Sequence, residues 1–101
     1  SRKMCIFTND IPVEGHLFEH MTLSPLGLQV IGSYTGTECM ASGMSVAVET
    51  ADGVIPLEGG GGTHNSQKKT FNLHWNTETP LDVATVTAVI INGTRIPVQS
   101  N

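Results

Sequence analysis

In the segment KTFNLHWN, Phe71, Leu73 and Trp75 alternate with Asn72, His74 and Asn76. A repeat of two is the side-chain period of a strand with one face toward a core and the other toward water. MSVAVET shows the same period with Met44, Val46 and Val48, and LGLQVIGSY shows it with Leu26, Leu28 and Val30 set against Gly27, Gln29 and Ile31. KMCIF at the start adds another short extended run, as do VTAVII and RIPV toward the end. The expected core is Leu26, Leu28, Val30, Val46, Val48, Phe71, Leu73, Trp75, one face of VTAVII, Ile96 and Val98.

The residues between these runs are turn formers. Asp52-Gly53 in ETADGVIPL and Asn92-Gly93 in VIINGTRIPV each lie between extended runs and tolerate the positive φ values of a tight hairpin. Pro25 in LSPLG has no N–H for a ladder and marks a bend or a strand edge. NTETPLDVATV reads as a crossing between strands, kept out of regular pairing by Pro80. VEGHLFEHMT has room for a short helix, but no other segment carries a helical period beyond one or two turns. Many short strands separated by Gly, Pro, Asn and Asp predict an all-β fold. The expectation is an immunoglobulin-like antiparallel β-sandwich of about seven to eight strands, one domain over residues 1–101.

Charge narrows the function classes. Five Lys and Arg stand against nine Asp and Glu, and the basic residues are only Arg2, Lys3, Lys68, Lys69 and Arg95. Counterion release from nucleic acid needs several clustered cations, so nucleic-acid binding is not expected, and direct contact with an anionic membrane is disfavoured for the same reason. No run approaches the roughly 18 to 20 apolar residues that span a bilayer, and SRKMCIFTND lacks the apolar stretch of a signal peptide. A chain that opens on Ser1 and enters the apolar run MCIF almost at once is read as a piece of a longer protein. The aromatic residues Phe7, Phe18, Tyr34, Phe71 and Trp75 are too few to make a broad stacking platform for sugars an attractive reading.

Candidate chemistry begins with LEGGGGTHNSQ, residues 57–67. A phosphate loop needs a helix N-terminus after its glycines, and here a polar stretch and a strand follow. The glycines therefore predict a mobile connection between strands, with a ligand-ordered loop using His64 and Asn65 as the alternative. His16 and His20 flank Glu19 at a spacing that shares one face of a helix; on a strand they lie about 13 Å apart and cannot hold one ion. His74 is expected to face solvent, and His64 to stand alone in a loop. Cys5 and Cys39 are read as separate thiols rather than a bridge, and their spacing matches no zinc or redox motif. ASGMS lacks the spacing of a nucleophile elbow. Asn92-Gly93-Thr94 matches a glycosylation acceptor, but turn geometry explains Asn92 more simply. No catalytic, cofactor-binding or metal-ligating residue is assigned, no cofactor is expected, and the ligand-binding residues are unknown.

HMTLSPLGLQVIGSY, VAVETADGVIPL and PLDVATVTAVIINGTRIPV together resemble the C-terminal extracytoplasmic domain of bacterial anti-sigma-factor-like membrane proteins, a domain of unknown function. The likeness covers most of residues 16–99 and rests on TLSPLGL and on INGT followed by Ile96-Pro97. It implies a non-catalytic sensing or protein-interaction module on the envelope side of a single-pass protein, with a protein partner or a neighbouring domain of the same chain. The alternative is an Ig-like adhesion or carbohydrate-binding domain of a bacterial cell-surface protein.

Overall fold

The computed structural model describes residues 4–7 as backbone and residues 10–98 with their side chains. Nine strands appear among these: β1 (Met4–Phe7), β2 (Ile11–Val13), β3 (His16–Ser24), β4 (Gly27–Tyr34), β5 (Val46–Thr50), β6 (Gly53–Asn65), β7 (Thr70–Asn76), β8 (Val86–Ile91) and β9 (Thr94–Pro97). Short 3-10 turns at Ala41–Gly43 and Val83–Thr85 lie in the two long crossings. Every strand pair is antiparallel.

The order β3-β4-β7-β6 forms one layer and β5-β8-β9 the other. Reached through four hairpins and two crossings, this is the seven-strand immunoglobulin order. Strands β1 and β2 extend the first layer by sharing the far side of β3, β1 against residues 21–23 and β2 against residues 16–18. Strand β6 belongs to both layers, because residues 53–57 pair with β5 and residues 58–65 with β7.

Alternation builds the core as expected. Phe71, Leu73 and Trp75 of β7, Leu28 and Val30 of β4, Val46 and Val48 of β5, and Ile96 of β9 are all buried in one cluster, with Val98 packed against it. Val86, Val89 and Ile91 join them from VTAVII. The side chains at 71, 73 and 75 each bury enough apolar area to contribute about 1.5–3 kcal/mol.

Leu26 departs from expectation: it is 73% exposed. Ser24 pairs with Gly27, so Pro25 and Leu26 are the turn between β3 and β4, and the apolar period of LGLQV runs past the start of the strand. The helical alternative for VEGHLFEHMT is also replaced. Glu14 (φ 46°) and Gly15 (φ 77°) form a tight turn between β2 and β3, and the residues after it alternate as a strand that buries Phe18, Met21 and Leu23. A bulge between Phe18 and His20 keeps both ends of that strand in phase with the core. Asn92 (φ 48°) and Gly93 (φ 83°) make the predicted turn between β8 and β9. The β5–β6 reversal falls on Ala51 and Asp52, one residue earlier than Asp52-Gly53, with Gly53 supplying the positive φ just after it.

Candidate interaction surface

Strand β6 lies at the margin of both layers, and Leu57 is its only buried residue. Its pairing partners are β5 and β7, each along one side. Thr50 and Gly53 flank the two-residue turn and form a hydrogen-bonded pair, and by alternation so do Val48 with Ile55 and Val46 with Leu57. Val54 and Pro56 therefore turn their main-chain groups away from β5, to the open side. Val54 presents both an N–H and a C=O there. Pro56 has no N–H to leave unpaired, which is why an edge strand tolerates it at that position.

The glycine run is part of this strand, which corrects the expectation of a mobile connection. The turn joining β6 to β7 is instead residues 66–69. A bulge between Gly59 and Gly61 inserts one extra residue opposite β7, and Gly61 takes the φ of 100° that the bulge requires. At Gly60 a Cβ would come within 2.9 Å of His74 Nε2 and 2.6 Å of Asn76 Nδ2, so those side chains lie over bare backbone. The run pairs because main-chain hydrogen bonds need no side chain, and β7 beneath it is fixed by its own core contacts.

His64 is likewise on β6, opposite Phe71, rather than in a loop. With Ile31, Thr63, Asn65 and Asn72 it borders a surface depression of about 330 Å³. Asn65 is committed to the turn: its Oδ1 accepts from the N–H of Gln67 at 3.0 Å and of Lys68 at 2.9 Å. His74 faces solvent, as expected.

A second hollow, of about 360 Å³, lies where β6 leaves one layer for the other. Residues 55–58 form one wall and residues 77–79 of the β7–β8 crossing the other. Ile55 and Leu57 share the inward face with Val48 and Val46 and give the hollow an apolar floor, while Glu58 and Glu78 border it. The crossing is pinned. Thr77 N–H donates to Leu26 O at 3.0 Å, Thr77 Oγ1 donates to Thr79 O at 2.7 Å, and Leu81 N–H donates to Pro25 O at 2.8 Å. Sequence reasoning did not find this seam. Its two walls are separated along the chain by the whole β6–β7 hairpin, and the signal available was only the apolar VIP next to a glutamate in a strand otherwise exposed.

The remaining candidates are not brought together. His16 points into the core and His20 outward, so the pair cannot hold one ion; no group of three or more potential ligands occurs among the described residues. His16 is instead a structural tie. Met40 N–H donates to its Nε2 at 3.0 Å, which places the proton on Nδ1, and Nδ1 donates to Glu14 O at 2.9 Å. Its ring stacks on Tyr34 with centroids 6.0 Å apart. Cys39 carries a free, half-buried thiol, and the Cys5 side chain lies outside the described residues. Asn92 is occupied by structure: its Oδ1 accepts from Ser45 N–H at 2.9 Å and its Nδ2 donates to Glu14. On the outer face of the second layer, Arg95 and Thr87 hydrogen-bond to Glu49 and lower its pKa from 4.5 to about 2.

Comparison with protein-family models, with curated proteins and with solved structures finds no match.

Proposed function

We propose that the chain is a non-catalytic protein-interaction module that docks through the β6 edge. The observation that carries this reading is the strand itself: a long margin with outward main-chain groups, a single buried residue and an apolar seam beside it. The scatter of the four histidines supports a non-catalytic role, since His16 is buried, His20 and His74 sit on the outer surface of the first layer, and His64 lies on the margin.

The sequence resemblance supports the setting: the envelope side of a bacterial single-pass membrane regulator of the anti-sigma-factor type, where occupancy of this domain is conveyed inward. The test is transcription from a promoter controlled by the cognate sigma factor, in cells carrying the full-length protein with or without residues 1–101. We expect deletion to change output severalfold at unchanged protein level. Unchanged output overturns the reading.

A further inference from the structure

We infer that the seam between residues 55–58 and 77–79 receives an extended, lysine- or arginine-bearing segment of a partner protein, added as a strand along β6. This rests on the interaction-module reading and names the occupant. Three features converge on it. The first is the outward N–H and C=O of Val54, which supply the main-chain pairing of an added strand. The second is apolar: Ile55, 36% exposed, lines a hollow of about 360 Å³ together with Pro56 and Leu57.

The third feature is charge, and it selects the occupant. Glu14, Glu19 and Glu49 are each engaged, by Asn92, Ser33 and Arg95 respectively. The carboxylates of Glu58 and Glu78 border the seam and engage no hydrogen-bond or ion-pair partner among the described residues. No Lys or Arg lines the hollow. An anionic occupant would meet two carboxylates without compensation, whereas a cationic one pairs with both. Pro56 adds selectivity: its missing N–H leaves room for only one main-chain donor, at Val54, among the outward positions of residues 53–57.

The test is amide chemical-shift mapping of the chain, titrated with the acetylated, amidated peptide Lys-Val-Lys-Val-Lys-Val and separately with Glu-Val-Glu-Val-Glu-Val. Expected are saturable shifts at residues 54–58 and 77–79 with the lysine peptide and none with the glutamate peptide. Replacing Glu58→Gln and Glu78→Gln together should weaken the lysine peptide about tenfold, the sum of two partly exposed charge pairs. Val54→Pro should abolish the shifts; where that variant melts early, the paired glutamine variant decides. Equal response to both peptides, shifts centred on residues 62–65, an unchanged Kd in the glutamine variant, or the same shifts arising from self-association without peptide would each overturn the inference. The two proposals fail separately. Loss of peptide binding with an intact promoter response removes the occupant alone, and retained peptide binding with no promoter response removes the regulatory setting alone.

Discussion

Strands β6 and β7 are joined by one turn and paired along half of β6, yet different forces hold them. Strand β7 has neighbours on both sides and drives Phe71, Leu73 and Trp75 into the core. Strand β6 buries Leu57 and otherwise depends on main-chain hydrogen bonds to a partner that is already fixed. The contrast teaches that a strand's place in a sheet and its contribution to stability are separate. β7 makes the fold, and β6 is free to carry side chains and backbone toward a partner.

The sharpest way to break that contrast is to empty a β7 position. Trp75→Ala should destabilise the chain by about 3–5 kcal/mol in urea denaturation, through lost burial and the cavity left behind. A midpoint that does not move would show that β7 is not the element that fixes the layer. The glycine run offers the next test. At Gly62, φ is 140° and a Cβ would lie 2.8 Å from Leu73 Cα, so Gly62→Val should cost about 1–3 kcal/mol. Gly59 has open space around it and no positive φ, so Gly59→Ala should be neutral or stabilising by up to about 1 kcal/mol. Equal effects at the two positions would mean that Gly62 does not lie against β7 as the structure places it.

Acid titration reads the outer face of the second layer, where a surface pair contributes without burial. The folded pKa of Glu49 is depressed to about 2 by Arg95 and Thr87, so its contribution is complete above the ordinary value of 4.5 and disappears as pH falls toward 2. Denaturation midpoints of wild type and Arg95→Met should therefore converge as pH drops through that window. Parallel curves would show that the pair does not act. The smallest effect is expected at the exposed histidines: His64→Ala and His74→Ala should each change stability by less than about 0.5 kcal/mol.

Periodicity exposed what side chains decide. The rows at 44, 46 and 48 and at 71, 73 and 75 appear in the sequence because each inward position needs an apolar residue and each outward one does not. It failed where the main chain decides. Leu26 belongs to an apolar repeat but occupies a turn, and four glycines that suggest freedom are ordered by pairing to β7. His16 was hidden for a related reason: what holds it is a carbonyl of one hairpin and an amide of a distant crossing, neither of which leaves a mark on residue type. The seam was invisible because it has no residues of its own kind, only a meeting of residues 55–58 with residues 77–79.

Because β6 is shared, the two layers are covalently continuous through an element that is hydrogen-bonded in each. Sliding one layer over the other would require rupturing one of those ladders, and peeling β6 from its free side would strip a bond at a time. A tug borne along the strand is thus resisted collectively, whereas a tug across it is not. A domain of this build withstands tension in one direction and yields readily in the other.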